Sequence, residues 1–478
     1  MTHIVCITGG LTGLLNASLA LVEQLQQAGY RVTYASPANL YEPVTAQGIP
    51  YVQLDRWVMQ SGDPPMSRWA KLQRWQERQQ RAVDALGVQR FVPMMQALAP
   101  DLLLMDIEMH PHIMAAVMAQ LPVALLCPFL SIWKRPQLPP IHTGILPGDG
   151  WRGQRLGIEW SWLRYGWTKW QESQRDRWRR LGLDGISVLR CYGRQIGYPW
   201  QSRSGLSQWL VPYPHGNLPI LCLNALELDL PHDPHPWMHY LGPMVSQQRQ
   251  EPQVDAATRT QLEQIFAHRQ ASGRPLIYCG CSSLAKADRR FLQQIVAVAS
   301  SCPQWDWVIG LGGKLQPRDL GPLPPHVHGF HWAPQLQVLK QADCAIINSG
   351  INSLNECIDC GVPMLVYSLK CADQNGNAVR VAYHDLGIVG DRTHLDTQMS
   401  RHLHTLLTDP SYRTRVLHMG DRFHRYAREK QAVQVVEALL RSHQTTAKGN
   451  LASEPAVTPT SGLPAGHPPK TDPLQPEH

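Results

Sequence analysis

At 478 residues the chain is long enough for two large domains, each burying its own core. A balance of 44 Lys plus Arg against 37 Asp plus Glu leaves +7, too mild to mark a nucleic-acid binder, and 43% hydrophobic residues is ordinary for a globular protein. No apolar run approaches the ~20 residues of a membrane span, and MTHIVCITGG reads as a first strand rather than a signal peptide. The 11 cysteines, an odd number, sit mostly in apolar strands and helices, as expected of reduced thiols in the cytoplasm.

In chain order, HIVCIT predicts a strand, GGLTG a loop, and Asn16 to Ala28 a helix with Leu15, Leu19, Val22 and Leu25 at helical spacing and Gly29 as its stop. RVTYAS is the next strand. A second α/β unit follows as PDLLLMD, a helix near His112 to Gln120, and PVALLC. Tryptophans from Trp151 to Trp209, interleaved with many arginines, then break the pattern. They suit either plain helix packing or an apolar acceptor wall that rests on an anionic membrane surface. MHYLGP closes a first domain over residues 1–245. Residues 246–273 read as a polar, Gln-rich linker with a short helix.

The second domain, residues 274–443, runs PLIYCG, a helix at 288–301, WDWVIGLGG, a helix near 335–341, ADCAIIN, a helix at 352–360, PMLVY, a helix at 375–384, and closes on helical sequence from 411 to 443. Strands alternating with helices predict a parallel, doubly wound α/β sheet. From 444 to 478 Pro, Ser, Thr and Gly dominate, and a tail that cannot bury apolar surface is expected to be disordered. Cys357 and Cys360 form a C-x-x-C, but no second pair stands at zinc spacing, so they read as small buried hydrophobes.

The stretch from His331 to Arg380 carries the chemistry. The strand ADCAIIN enters an SG turn and then a helix opening at Asn352 and Ser353, which presents free N–H groups and a positive helix end where an α/β sheet binds phosphate. Trp332 and Gln335 precede it, and Asp373 and Gln374 follow the next strand. W-x-P-Q, G-x-N-S-x-x-E, G-V-P and D-Q-x-x-N-A in this order resemble the donor signature of the UDP-dependent glycosyltransferases, family 1, which glycosylate small lipophilic acceptors.

That resemblance implies two facing Rossmann-like domains with a cleft between them, the GT-B architecture. It implies that Trp332 stacks on uracil and Gln335 holds the base and ribose edge. Asn348, Ser349, Gly350, Asn352 and Ser353 would then cradle the pyrophosphate, with Glu356 on the ribose and Asp373 and Gln374 on the sugar. Ser283, in the turn after PLIYCG, sits where the family touches the phosphates, although a generic β–α turn explains it equally. One departure is Asn348, where the family carries a His; Asn still donates to phosphate but brings no charge.

The second departure concerns the base. Inverting transfer needs a group that takes the acceptor's hydroxyl proton. The family's base is a His in a first-loop pattern like G-H-x-N-P-x-L-A-L, and GLLNASLAL here places Leu14 at that position. Leucine moves no proton. In MDIEMHPHI, Asp106, Glu108, His110 and His112 would share one face if extended. Asp106 stands at about the position of the Asp that partners the family's His, so His110 or His112 is the expected substitute, with His142 as a further candidate. On this reading Leu14→His is tolerated or even raises turnover.

The resulting expectation is a cytoplasmic hexosyltransferase moving glucose from UDP-glucose, with inversion, to a hydroxyl of a lipophilic small molecule or lipid. It needs no metal or other cofactor and no nucleic acid, and it touches membranes only peripherally. The alternative is a pseudo-glycosyltransferase that binds nucleotide sugar or a partner without turnover, for which Leu14 and Asn348 argue.

Overall fold

The computed structural model describes residues 1–451 apart from 59–61, 63, 131, 200–214, 216–217, 248, 250–253, 281–288, 314, 370–372 and 394. Two parallel sheets form, one in each half of the chain. The first has the order β3-β2-β1-β4-β5-β6-β7, built from β1 (His3–Ile7), β2 (Arg31–Ser36), β3 (Tyr51–Gln53), β4 (Leu102–Asp106), β5 (Val123–Cys127), β6 (Ile220–Cys222) and β7 (Met238–Tyr240). The second has the order β10-β9-β8-β11-β12-β13, from β8 (Leu276–Gly280), β9 (Asp306–Gly310), β10 (Val327–Phe330), β11 (Cys344–Ile347), β12 (Met364–Val366) and β13 (Gly387–Val389).

Strands such as VALLC, apolar throughout, and LLLMD, apolar up to its final Asp106, are fully buried because helices cover both faces of a parallel sheet. The doubly wound α/β class and the pair of Rossmann-like domains are therefore as expected. In each sheet the order reverses beside the first strand, between β1 and β4 and between β8 and β11. Ligands of such sheets bind in the crevice outside the carboxyl ends of the strands at that switch point. Asp106 ends β4, and the Asn348–Gly350 turn follows β11.

Local sequence explains most helices. Helix α1 (Thr12–Gln27) turns its apolar stripe onto the first sheet, with Leu14, Leu21, Val22 and Leu25 in one core. Helix α2 (His110–Met118) carries Pro111 in its first turn, where the missing N–H costs nothing. This corrects the expectation of an extended MDIEMHPHI. Asp106 closes the strand, Glu108 lies in the turn, and His110 and His112 are helical, so the four side chains do not share one face. Most of the Trp-rich region forms α3 (Arg155–Arg180), a helix of 26 residues, with Trp151 in a short helix at Gly150–Gly153 before it and a further helix at Gly185–Gln195 after it; Trp200 and Trp209 lie outside the described residues.

The expected boundaries need three further corrections. Residues 256–272 are not linker: they form α4 (Ala256–Ser272), capped by Asp255, whose Leu262 and Ile265 are buried in the second core. Helix α5 (Ile351–Asp359) and helix α6 (Gln374–Tyr383) follow as expected, and α7 (Pro410–Arg428) packs on the second core. Helix α8 (Gln431–Leu451) returns to the first domain, where Ala432, Val436 and Leu440 join the core of α1. The closing helix thus belongs by packing to the other half of the molecule. It also runs eight residues into the stretch expected to be disordered, and the rest of that stretch lies outside the described residues.

The two halves meet through specific polar contacts. Arg380 Nε donates to Asp229 Oδ1 at 2.9 Å, both side chains being almost fully buried. Asn355 donates to Asn224 Oδ1 at 2.9 Å, and Tyr426 donates to Glu227 at 2.7 Å. Gly376 on α6 lies so close to the first domain that an added Cβ would stand 2.2 Å from the carbonyl oxygen of Ile141. No described helix is long and apolar enough to cross a membrane. Among the described residues nine cysteines are free thiols, and Cys357 is fully buried in the second core with Cys360 against it, as read from their spacing.

Candidate functional site

The donor-side residues converge at the carboxyl ends of β8 and β11. Ser349 takes a left-handed backbone with φ of 54°, which turns the chain sharply between β11 and α5. Helix α5 starts at Gly350 with no side-chain cap, leaving its first N–H groups facing the crevice. The Ser349 carbonyl accepts from Asn377 at 3.0 Å, and Asn377 also donates to Asp373 at 2.7 Å, so the turn and Asp373 are held by one amide. Burial pushes the Asp373 carboxyl upward, and the Asn377 bond partly offsets it. Gln374 is locked by the N–H of Leu369 at 2.9 Å. Asn352 donates to the carbonyl of Gly13 at 2.6 Å, which ties the phosphate-facing helix to the first loop of the other domain.

Glu356 is not a solvated helix residue: it is 4% exposed. It accepts from Gln335 at 2.7 Å and pairs with Arg249 at 2.6 Å, while Gln335 also bonds Ser353 and Tyr278, each at 3.1 Å. Trp332 is half-buried and packs over Gly313, whose φ of 75° and close ring leave no room for a side chain. Gln335, Ser353 and Glu356 thus form one hydrogen-bonded group, and Asn348, Ser349, Gly350 and Asn352 lie in the turn before α5 and in its first turn. Ser283 lies outside the described residues. Arg249 and Asn377 had not been singled out. Asn377 was part of the D-Q-x-x-N-A pattern, while nothing local in the sequence points to Arg249.

On the acceptor side a cleft of about 1930 Å³ runs along the first domain. Its walls include Trp57, Phe129, Ile141 and Trp160, and Asp373 and Asn375 reach it from the second domain. Asn375 donates to the carbonyl of His142 at 2.9 Å, closing the seam. Glu108 and His110 open into the same cleft.

The proposed bases separate sharply here. His112 is fully buried, edge-on to Phe91 and Trp57 with ring centroids 5.1 and 6.0 Å away, and burial lowers its pKa to about 4. It does not line the cleft, so it cannot be the base. Asp106 is 3% exposed, and its two oxygens accept from the N–H groups of Gly9 and Glu108, each at 3.0 Å. Asp106 therefore holds the first loop rather than reacting. His110 faces the cleft, stacked on His215, whose Nδ1 lies 3.1 Å from the Tyr198 hydroxyl. Burial depresses His110 to about 4. Glu108 moves the other way: burial and the nearby Asp106 charge push its carboxyl up to about 7. His142 stacks on Tyr165 at 4.3 Å at the cleft edge.

Leu14 is 3% exposed inside the α1 core. The expectation that Leu14→His is tolerated is corrected on this ground, because an imidazole there would be buried without a partner. Leu14→His is expected to lower unfolding free energy by roughly 1–3 kcal/mol, the cost of an unpaired buried polar group. Urea denaturation checks it.

Comparison with known proteins places this geometry. The family model described as UDP-glucoronosyl and UDP-glucosyl transferase matches residues 239–444. Oleandomycin glycosyltransferase of Streptomyces antibioticus is 24% identical over 382 residues, covering 79% of this chain and 76% of that protein. Zeaxanthin glucosyltransferase of Pantoea ananas is 24% identical over 229 residues, 47% of this chain and 50% of its own. The crystal structure of the kitacinnamycin glycosyltransferase superposes with a TM-score of 0.63 at 20% identity, covering 92% of this chain and 98% of that one. The resemblance read from the motifs is thus borne out: the second half of the chain matches the family's model, the relatives are glycosyltransferases, and the fold is the GT-B fold of the structural neighbours.

Proposed function

We propose that this enzyme transfers glucose from UDP-glucose, with inversion, to a hydroxyl of a lipophilic small molecule bound in the cleft. The observation that carries the reading is the meeting of Asp373 and Asn375, from the donor half, with Glu108 and His110 in one cleft whose wall also holds Trp57, Phe129, Ile141 and Trp160. The two relatives are named for an antibiotic and for zeaxanthin, the latter a glucosyltransferase, which supports glucose and an apolar acceptor.

Uracil stacks on Trp332, ribose meets Glu356, the diphosphate lies at the start of α5 with Asn348 beside it, and the sugar hydroxyls meet Asp373 and Gln374. Ribose hydroxyls would share Glu356 with Arg249 and Gln335, since each carboxylate oxygen holds one of these bonds and keeps a second lone pair. Glu108 serves as general base. The acceptor oxygen attacks the anomeric carbon, its proton passes to Glu108, the bond to UDP breaks, and UDP leaves carrying the electron pair. At neutral pH a carboxyl near 7 is ionised often enough to accept a proton and is far more basic than an ordinary glutamate. His110 positions the wall beside it. The helix start and the Asn348 amide meet the phosphate charge, and no metal is required.

Trp332→Ala should weaken UDP binding by roughly 1–3 kcal/mol, the scale of one base–aromatic stack. Calorimetry with UDP checks it, and unchanged affinity would place the nucleotide elsewhere. Incubation with UDP-glucose and a panel of hydroxylated apolar acceptors should give UDP and a glucoside. Leu14 in the core and Asn348 in place of a charged residue favour the pseudo-glycosyltransferase as second reading. That reading stands if UDP binds but neither donor hydrolysis nor any glucoside appears.

A further inference from the structure

Helix α3 presents two unlike faces. Ile158, Trp162 and Tyr165 are buried, and Trp162 donates to the carbonyl of Leu138 at 2.7 Å. On the opposite side Leu156, Trp160, Leu163, Trp167, Trp170 and Trp178 are each more than half exposed. At 100° per residue these six fall within about 80° of one another, so they form a straight apolar stripe roughly 33 Å long. Trp167 and Trp170 stack on each other with centroids 5.1 Å apart. An exposed aromatic ridge of that length on an otherwise charged helix calls for a partner.

The cations beside it indicate which. The helix holds seven Arg and Lys against three acidic residues. Arg164 and Arg175 flank one side of the stripe, and Arg155 and Arg177 the other. All four are exposed and, among the described residues, pair with no carboxylate. A second copy docking stripe to stripe would set these arginines against one another. A surface of negative charge over an apolar layer satisfies both features: guanidinium groups reach phosphates while indole rings sink to the headgroup level.

We infer that α3 docks this enzyme peripherally on an anionic lipid bilayer, lying in the plane of the interface with the Leu156–Trp178 stripe facing the lipid. Trp160 belongs both to this stripe and to the cleft wall. The docked face therefore borders the cleft mouth, and a lipophilic molecule dissolved in the bilayer would have a short path into it. The docking itself does not depend on which acceptor the cleft takes.

The test is co-sedimentation of the full chain with vesicles of phosphatidylcholine containing one part in three phosphatidylglycerol, beside vesicles of phosphatidylcholine alone. Wild type should sediment with the anionic vesicles and release as salt rises. W167S/W170S, which changes neither the cleft wall nor the donor site, should bind at least about tenfold more weakly. R155Q/R177Q should lose the preference for anionic over neutral vesicles. UDP affinity and circular dichroism of each variant should match wild type, which separates lost docking from lost folding. Failure of wild type to sediment at low salt, or undiminished binding by W167S/W170S, overturns the inference. So does a wild-type dimer in analytical ultracentrifugation that W167S/W170S converts to monomer.

Discussion

Glu108→Gln should lower kcat by ~100- to 10,000-fold while UDP affinity stays within about twofold of wild type, because the amide keeps the shape of the cleft and removes the proton acceptor. The pH dependence makes the assignment specific. Glu108 is pushed up to about 7, and only its ionised form accepts a proton, so kcat/KM should fall as pH drops below about 7. His110, pushed down to about 4, is already neutral throughout that range, so a histidine base would place the acidic limb near 4 instead. His110→Ala should then cost less than about tenfold, through looser packing of the turn that carries Glu108. A full-sized loss in His110→Ala with Glu108→Gln near wild type would return the role to the histidine.

Arg380→Ala should remove ~3–5 kcal/mol of stability, the cost of stranding one member of a buried ion pair. The guanidinium meets Asp229 through two of its nitrogens and the Gly376 carbonyl through a third, with 2% of the Arg380 side chain and none of Asp229 exposed. Removing it leaves Asp229 buried, with the N–H of Leu230 at 2.8 Å as a bond that persists. Replacing both residues with apolar ones, as in D229L/R380M, should recover most of the loss, since no charge then needs solvating. Chemical denaturation of the three proteins measures it. A loss below about 1 kcal/mol in Arg380→Ala would mean that water enters this seam and screens the pair. Because Arg380 sits on α6, whose start carries Asp373 and Gln374, the single variant should also weaken UDP-glucose binding.

Much of the donor half was legible from the chain itself, and the reason is locality. A strand, a left-handed turn and a helix start are set by neighbours within about ten residues, so the spacing of Ser349, Asn352 and Glu356 already carried their placement on one turn and helix. The β–α–β punctuation of HIVCIT to RVTYAS was readable for the same cause: period-2 and period-3.6 patterns are local properties. Short strands such as Ile220–Cys222 and Gly387–Val389 were not foreseen, since a few apolar residues fit a strand or a loop equally well.

Side-chain direction and long-range contact were decided only in three dimensions. Whether His112 or Glu108 faces the cleft depends on how Pro111 starts a helix immediately after β4, and on the aromatic rings that enclose His112 from elsewhere in the chain. Arg249 on Glu356 joins residues 107 apart in sequence, and Arg380 on Asp229 joins residues 151 apart. The tryptophans of α3 could be counted in the sequence, but only packing showed which of them were left outside. Composition and periodicity determined the class of fold and the donor signature because those are properties of neighbouring residues. The base, the clamp between domains and the exposed stripe were settled by burial, which belongs to the whole molecule and to no single segment of it.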